Sequence, residues 1–316
     1  MSYMFSGLRK VKEIKFSKKF ITSNVIDMSH MFYNCWHLKE IDLSSFDTSN
    51  VTDMNNMFVS CTSLTELDLS KFNTSSVTNM SEMFAGCTKL TSLDLSGLDS
   101  SNVTDMYGMF NGCTLLADLN LSGFDTSSVT DMTEMFCGCN SLEELDLSSF
   151  NTSNVVTMST MFRGCKSLTK LDLSNFNTSN VRHMGWMFWN CKILTDLDIS
   201  SFDTSSVTDM GKMFYECYAL TELDLSNFDT SNVINMVGMF MDCSNLRRII
   251  LSDKWKTFNL RTTLNMFDRC SSLEDIDFSH FYIGNIDNYF QENNIYSIID
   301  TMFKGCSSDI KKQFKE

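Results

Sequence analysis

The sequence contains no proline among its 316 residues. Proline has no backbone N–H and occurs in sheets only at edges and bulges, so its absence is compatible with strands that are paired on both sides. Histidine is rare too, with four residues. The chain also lacks a glycine-rich phosphate loop, a nucleophile elbow and an HExxH zinc motif. These absences predict a protein that is not an enzyme and needs no metal or other cofactor.

Basic residues and long apolar runs are also scarce. The chain has 25 Lys and Arg against 39 Asp and Glu, a net charge of −14. This charge argues against nucleic acid or an anionic membrane as the partner. No apolar run approaches the roughly 18 residues of a membrane span, so we predict no membrane insertion. Residues 1–16 contain no apolar segment followed by a small-residue cleavage site, which leaves a cytoplasmic location open.

Cysteine, in contrast, is abundant and regularly spaced. Nine of the 12 cysteines follow one another at intervals of 26 residues: Cys35, Cys61, Cys87, Cys113, Cys139, Cys165, Cys191, Cys217 and Cys243. A Met-x-x-Met-Phe group precedes each of these cysteines, and a leucine follows each by three residues. Self-similarity at a fixed period is typical of repeat proteins, whose units stack to bury a shared core.

Each repeat contains two hydrophobic periodicities. The Leu-Asp-Leu-Ser segment alternates apolar and polar residues, which predicts a short strand with one buried face. The Met-x-x-Met-Phe-x-x-Cys-x-x-Leu segment has apolar residues at positions i, i+3, i+4 and i+7, which predicts a short helix. An Asp or Asn such as Asp53 stands before the first methionine and suits the N-cap of that helix.

These patterns predict an α/β solenoid: a right-handed array with one short parallel strand and one short helix in each 26-residue coil. We expect a single domain over residues 1–316. Residues 1–34 form an atypical first coil, and residues 35–269 form the regular repeats. Residues 270–316 form irregular C-terminal coils with an inserted loop at 282–301, which is either a capping flap or a binding loop.

The repeat also resembles a known family. The run LSSFDTSNVTDMNNMF at residues 43–58 and the pattern M-F-x-x-C-x-x-L-x-x-L-D-L at residues 83–95 are similar to BspA-type leucine-rich-repeat surface proteins. These include the mycoplasma lipoprotein-type 26-residue repeats. The resemblance covers about residues 4–306. It implies a leucine-rich-repeat solenoid at a cell surface or secreted, with a role in adhesion and with no catalytic residue in the motif.

Residues between the inward-facing leucines of successive strands are expected to point outward in one row. The row contains Asp42, Asp68, Asp94, Asp146, Asp172, Asp198 and Asp224, and we call it the Asp row. Residues 35–243 carry 27 acidic and 9 basic side chains, so like charges repel along this face. One interpretation is a solvated strand surface. The other is a ligand-binding face for a basic partner or a divalent ion.

A second candidate surface lies on the predicted helical side. The position two residues before each column cysteine varies: Tyr33, Val59, Ala85, Asn111, Cys137, Arg163, Trp189, Tyr215 and Met241. Its last three members are large and apolar, and Trp186 and Tyr218 stand near them in sequence. Trp186, Trp189, Tyr215, Tyr218 and Met241, here called the aromatic patch, are either a partner-binding site or separate surface side chains.

Two further columns leave alternatives open. The column cysteines are either buried thiols acting as small apolar residues or disulfides between neighbouring coils. Cys137 lies off the column and is expected to face outward as the most reactive thiol. A threonine column that includes Thr48, Thr74 and Thr126 offers a weak ice-binding hypothesis.

The sequence thus predicts a non-catalytic repeat scaffold that binds a protein or another macromolecule, as a cell-surface adhesin does. The alternatives are an intracellular protein–protein interaction scaffold and an ion- or ice-binding solenoid. The ligand-binding residues expected on the strand side are the Asp row, and the partner-binding residues on the other side are the aromatic patch.

Overall fold

A computed structural model of the chain describes residues 1–17, 19–282 and 295–314. Its contacts divide the chain into two compact units, Met1–Val155 and Val156–Glu316. Each unit is a parallel solenoid in which equivalent residues of successive coils pair with one another. The predicted solenoid is therefore confirmed within each unit.

The strands of the first unit are short and parallel. Leu93 pairs with Leu119 in the next coil, so the predicted register of one coil per 26 residues is present. β1 pairs with β2, and β3 with β4. The strands are β1 (Glu13–Ile14), β2 (Glu40–Ile41), β3 (Ser92–Asp94) and β4 (Asp118–Asn120).

The second unit continues the same pattern and adds two helices. β5 pairs with β6, and β7, β8 and β9 form a three-stranded parallel sheet. The strands are β5 (Lys170–Asp172), β6 (Asp196–Asp198), β7 (Glu222–Asp224), β8 (Arg248–Ile250) and β9 (Asp275–Ile276). The helices are α1 (Ile295–Met302) and α2 (Ser308–Gln313).

The short helix expected in each coil is not there: both helices of the described residues lie near the C-terminus. In its place are consecutive turns. Met57 N–H donates to the Met54 carbonyl (3.3 Å), and Cys61 N–H donates to the Phe58 carbonyl (3.1 Å). Between these turns the backbone pairs with the next coil, since Phe58 N–H donates to the Met83 carbonyl at 2.9 Å. The segment is a second intercoil ladder rather than a helix.

Two left-handed residues in each coil make this geometry possible. In the coil of Cys61 they are Asn56, with φ 57°, and Ser60, with φ 58°. The left-handed region is unfavourable for most side chains and open to glycine. The position before the cysteine is glycine in four successive coils, including Gly86 (φ 72°) and Gly112 (φ 73°). Asp53, the expected helix N-cap, instead accepts the Asn55 N–H at 2.9 Å and closes a turn.

The interior is built from the predicted apolar columns. Phe72, Met83 and Cys87 are buried, whereas Leu67 is half-buried. The phenylalanines that follow the second methionine stack along each unit: Phe58 and Phe84 have ring centroids 6.0 Å apart and planes 3° apart. In the second unit, Phe188 and Phe214 are 5.5 Å apart. The 26-residue cycle therefore decides which side chains enter the core.

The threonine column is buried and does not form a surface. Thr48 and Thr74 are each 1% exposed, so the ice-binding hypothesis for this column is wrong. The Thr74 hydroxyl donates to the Asp99 carbonyl of the next coil at 2.8 Å. A hydroxyl buried among apolar side chains needs such a partner, because an unsatisfied polar group is costly to bury.

Phenylalanines close the core beside the C-terminal helices. Phe314 contacts Phe278 and Phe303, with centroid distances of 5.0 and 5.2 Å. Most of the predicted loop at 282–301, namely residues 283–294, lies outside the described residues, and its role stays a prediction. Among the described residues, no helix has the length and apolar character that crossing a membrane requires.

Candidate binding surfaces

Three members of the aromatic patch are in contact on the turn side of the second unit. Trp186 meets Trp189 edge to face, with centroids 4.9 Å apart and an interplanar angle of 82°. Trp189 stacks on Tyr215 of the next coil at 5.5 Å and 14°. All three side chains are half-buried. They meet because Trp189 and Tyr215 occupy the same place in consecutive coils, and Trp186 occupies the left-handed position three residues earlier, with φ 65°.

The other two members lie beside this group. Tyr218 and Met241 are also half-buried. Within the described residues, Tyr218 makes its ring contact with the Lys192 ammonium, 5.8 Å from the ring centroid, rather than with the two tryptophans. Met241 follows Tyr215 in the same column, one coil later. The predicted grouping is therefore observed for Trp186, Trp189 and Tyr215.

Two cations complete the cluster, and the sequence reasoning did not assign them to it. The Arg163 guanidinium lies 4.0 Å from the ring centroid of Trp189. The Lys212 ammonium lies 4.8 Å from that of Trp186 and 5.6 Å from that of Tyr215. Cation–π contacts of this kind contribute about 0.5–1 kcal/mol at exposed sites. The signal was available, because Arg163 precedes Trp189 in the variable column and Lys212 follows Trp186 in the left-handed column.

Burial and acidic neighbours raise the pKa values of the two tyrosines, Tyr215 and Tyr218. Burial raises the pKa of Tyr215, and the nearby carboxylate of Glu216 raises it further. The pKa of Tyr218 is also raised, first by burial and then by Glu216 and Asp242. Asp242 itself is paired with Arg269 at 2.6 Å. Both phenols therefore remain protonated at neutral pH and present O–H groups.

Two buried polar atoms in this cluster have no hydrogen-bond partner among the described residues: Trp189 Nε1 and Asn190 Oδ1. Asn190 is itself left-handed, with φ 64°. Buried polar atoms without partners are uncommon in folded proteins. The described residues contain others, including Asn55 Oδ1 in a regular coil of the first unit, so this feature is not particular to the cluster.

On the strand side, members of the Asp row accept backbone hydrogen bonds that form local turns in both units. In the first unit, Asp68 Oδ1 accepts the Ser70 N–H at 2.8 Å. In the second, Asp224 Oδ1 accepts the Ser226 N–H at 2.9 Å. These contacts are Asx turns, which end each strand. The row is exposed apart from Asp198, which is half-buried.

The same contacts affect protonation. Hydrogen bonds from the Ser44 hydroxyl and backbone lower the pKa of Asp42, and those from Ser96 lower the pKa of Asp94. The charged form is favoured because only a carboxylate accepts both donors fully. No cluster of three or more His, Cys, Asp or Glu suited to a metal ion is found in the described part of the chain. The role of the row in ligand binding stays a prediction.

Cross-strand ion pairs interrupt the acidic character of the strand face in the second unit. Lys170 pairs with Asp196 of the next strand at 3.3 Å. Arg248 lies between Glu222 at 3.8 Å and Asp275 at 2.9 Å. An open depression of about 390 Å³ on this face is lined by Asp196, Asp198, Glu222 and Asp224, among others. It is a shallow acidic surface rather than an enclosed site.

The cysteines are reduced thiols, as one of the two interpretations predicted. Column thiols donate to carbonyls of the preceding coil; for example, Cys87 Sγ donates to the Phe58 carbonyl at 3.2 Å. Burial raises the pKa of Cys113 to about 12. Cys137 is half-buried, in keeping with its place off the column. The column thiols therefore act as core side chains.

Comparisons with solved structures return repeat proteins. A leucine-rich repeat protein from Bacteroides ovatus ATCC 8483 is 18% identical over 89% of this chain and 76% of its own, with a TM-score of 0.40. One from Eubacterium ventriosum ATCC 27560 is 15% identical over 90% and 76%, with a TM-score of 0.40. A leucine rich cell surface protein from Faecalibacterium prausnitzii A2-165 is 17% identical over 87% and 78%, with a TM-score of 0.39.

The comparison with protein families bears on most of the chain. No curated protein matches the sequence. A family model matches residues 1–120, 116–197 and 193–302, and it confirms the predicted resemblance to mycoplasma-type repeats. The chain belongs to the family described as "Mycoplasma protein of unknown function, DUF285".

Proposed function

We propose that this chain is a non-catalytic repeat scaffold that binds another macromolecule through the aromatic patch, as a cell-surface adhesin does. The partner we propose is a protein. The exclusion of nucleic acid, which rests on the net charge of −14, stays a prediction. The adhesin role and surface display are supported by the resemblance to BspA-type repeat proteins.

The main support is the contrast between constant and variable positions within one coil. Met187, Phe188 and Cys191 are fully buried, and the same residue types occupy these positions in neighbouring coils. The outward residue among them, Trp189, is replaced by Arg163 one coil earlier and by Tyr215 one coil later. Solenoids bind along an extended surface of this kind, in which a uniform core carries varied side chains.

The residue types of the patch also favour a protein contact. Trp, Tyr and Arg are the side chains that most often dominate binding energy at protein interfaces. Here two tryptophans, a tyrosine and an arginine are in mutual contact while each remains half-buried. Partial exposure leaves apolar ring area that a partner can remove from water.

The test is adhesion by the purified chain. Fluorescently labelled protein is applied to immobilised extracellular-matrix proteins and to epithelial monolayers, and bound fluorescence is measured. Replacing both Trp186→Ser and Trp189→Ser is expected to abolish binding while circular dichroism and the melting temperature stay close to the original values. The control is Trp36→Ser, since Trp36 is an exposed tryptophan that, like Trp189, lies beneath an arginine, here Arg9 at 4.5 Å.

Two results would contradict the proposal. One is undiminished binding by the double variant; the other is an absence of binding by the unaltered chain to every surface. Surface display is tested separately by antibody labelling of intact cells that make the protein. Labelling that appears only after permeabilisation would favour an intracellular scaffold instead.

A further inference from the structure

Within the described part of the chain, the two cations beside the aromatic patch, Arg163 and Lys212, contact rings rather than carboxylates. Among the described residues, neither Arg163 nor Lys212 has a carboxylate within salt-bridge distance. Lys170 of the same unit has one such carboxylate, and Arg248 and Arg269 each have two. Arg163 and Lys212 instead lie over aromatic rings, at 4.0 Å from Trp189 and 4.8 Å from Trp186.

We propose that the aromatic patch binds a protein segment that carries one or two carboxylates among apolar side chains. This inference rests on the proposed function, namely that the patch is a binding surface. It adds the chemical class of the partner.

The arrangement of the rings leaves the cations, rather than the ring faces, open to contact by a ligand. Arg163 and Tyr215 belong to the coils before and after Trp189, so the two faces of that indole are already covered. Lys212 covers part of Trp186 in the same way. A ligand therefore meets the guanidinium, the ammonium and the ring edges. Carboxylates are suited to this surface because a guanidinium can donate two parallel hydrogen bonds to one carboxylate.

The rings beneath Arg163 and Lys212 also strengthen the attraction of these cations for a carboxylate. A cation held over an aromatic ring is partly removed from water, which lowers the local dielectric around it. An incoming carboxylate then displaces less hydration than it would at a fully solvated lysine. The half-buried Met241 and Tyr215 supply apolar area next to the cations. This combination favours a segment in which acidic and apolar residues alternate over a polyanion, which carries charge without apolar side chains.

Nearby acids limit how much negative charge the partner can carry. Tyr215 and Tyr218 both lie in the field of Glu216 and Asp242. Residues 35–243 carry 27 acidic and 9 basic side chains. A polyanion with charges every few ångströms would place several of them against these carboxylates, whereas one or two carboxylates can be confined to Arg163 and Lys212. The geometry thus disfavours nucleic acid and sulfated glycans.

The experiment is a selection followed by affinity measurements. Random dodecapeptides displayed on phage are selected on the immobilised full-length chain, and enriched peptides are synthesised. Their dissociation constants are measured by fluorescence polarisation at about 50 and about 300 mM salt, at which charge–charge interactions are weakly and strongly screened, respectively. Four proteins are compared: the original chain, Arg163→Gln with Lys212→Gln, Trp186→Ser with Trp189→Ser, and a charge-matched control.

The control carries Arg182→Gln and Lys166→Gln. It removes two exposed cations of the same unit, neither of which contacts an aromatic ring among the described residues. Heparin and poly(U) are titrated as polyanion probes at both salt concentrations. Circular dichroism establishes that every variant retains the fold.

The expected result is enrichment of Asp or Glu beside aromatic and aliphatic residues. Binding should weaken about tenfold or more in the Arg163/Lys212 variant, since charge-assisted hydrogen bonds are lost, and should be unchanged in the control. The higher salt concentration should weaken binding to the original chain.

The other outcomes distinguish the proposed function, that the patch is a binding surface, from the inference that its partner carries carboxylates. If selected peptides need both tryptophans but lack acids and bind the Arg163/Lys212 variant equally well, the inference fails and the proposed function stands. Patch-dependent binding of heparin or poly(U) tighter than that of any peptide would replace the inference with a polyanion site. If no peptide or polyanion binding depends on the patch, the inference fails, and the adhesion test alone decides the proposed function.

Discussion

Thr48 and Asn73 form a reciprocal contact between adjacent coils. The Thr48 hydroxyl donates to the Asn73 carbonyl at 2.9 Å and accepts the Asn73 N–H at 2.8 Å. One buried side chain thereby satisfies both backbone groups of one residue in the next coil. Ser100 makes the same pair of contacts with Asp125, both at 2.9 Å. The column therefore joins coils within a unit at a place where the strands have ended.

The first prediction concerns this hydroxyl. Thr178 is fully buried and bonds both the carbonyl and the N–H of Asp203 at 2.8 Å. Thr178→Val keeps the shape but leaves both backbone groups without a partner, which should lower the free energy of unfolding by about 1–3 kcal/mol. Urea unfolding measures the loss, and hydrogen exchange should show reduced protection of the Asp203 amide.

The matched control for that variant is Thr178→Ser. Ser100 shows that serine makes both contacts at this position, so the serine variant should retain most of the stability. Equal stability of the valine variant and the unaltered chain would show that the hydroxyl contributes nothing and would refute the first prediction.

The side-chain directions could be predicted from sequence because a 26-residue period assigns every residue to a column. Phe72, Met83 and Cys87 lie in the interior as expected. The same pattern could not show that each coil contains consecutive turns instead of the expected helix. Two consecutive turns place apolar residues at i, i+3, i+4 and i+7 just as a helix does, and hydrophobic periodicity alone does not distinguish them. The distinguishing signal was the Gly or Asn before the cysteine, as at Gly86 and Asn190, which marks a left-handed residue.

The candidate surfaces were predictable only in part. Trp189 and Tyr215 share a column, so their contact follows from the repeat. The cations above the rings depend on how long side chains fold back over neighbouring coils, and the sequence period does not determine this. The burial of the threonine column was missed for a related reason. A polar residue in a turn usually faces water, and only the intercoil geometry shows that Thr48 finds its partners in the interior.

The second prediction tests the left-handed positions. Gly112 has φ 73°, and a Cβ added there would meet Gly86 Cα at an ordinary 3.7 Å, so space is not limiting. Gly112→Val should still lower the free energy of unfolding by about 1–2 kcal/mol, since a β-branched residue is strained at positive φ. Ser60→Gly, at φ 58°, should have the opposite sign. Chemical denaturation measures both, and destabilisation by Ser60→Gly would count against left-handed strain as the cause.

The third prediction concerns acid stability. Hydrogen bonds from serines lower the folded-state pKa of Asp68, Asp94 and Asp146 below the unfolded value. Their stabilising contribution is thus fully present above about pH 4 and is lost as pH falls through the lower folded pKa. The triple replacement of these aspartates by asparagine should flatten the fall in melting temperature between about pH 5 and pH 2.

Asparagine is an appropriate replacement because Asn120 already occupies this position in one coil. Its side-chain oxygen accepts the Ser122 N–H at 3.2 Å, so the turn is kept while the titrating group is removed. Differential scanning calorimetry across the pH range makes the comparison. Parallel curves for the two proteins would show that these carboxylates do not contribute to acid sensitivity.

The fourth prediction concerns thiol reactivity. Burial raises the pKa of Cys113 and Cys243 to about 12, so both remain protonated and shielded at pH values well below that. In native protein treated with a chromogenic disulfide reagent near neutral pH, Cys137 should react first, because it is half-buried and the column thiols are buried. Cys306 is half-buried too, but burial raises its pKa to about 11, which keeps it protonated and slow to react. Cys137→Ser should remove the fast phase, whereas Cys113→Ser should leave it. A fast phase that survives Cys137→Ser would assign early reactivity to another thiol.

The last prediction tests whether the Asp row binds a basic partner in addition to forming turns. Asp172→Asn with Asp224→Asn keeps an acceptor for the Ser174 and Ser226 N–H groups, which the aspartates now accept at 3.0 and 2.9 Å. The strand face of the second unit loses two negative charges without losing its turns. If that face binds a basic partner, a fluorescent oligolysine should bind the variant several-fold more weakly than it binds the original chain, and added salt should reduce the difference. Asp203→Asn with Asp229→Asn is the charge control, because these aspartates accept the Ser205 and Ser231 N–H groups in turns outside the row. Equal affinity for all three proteins would leave the row with its structural role alone.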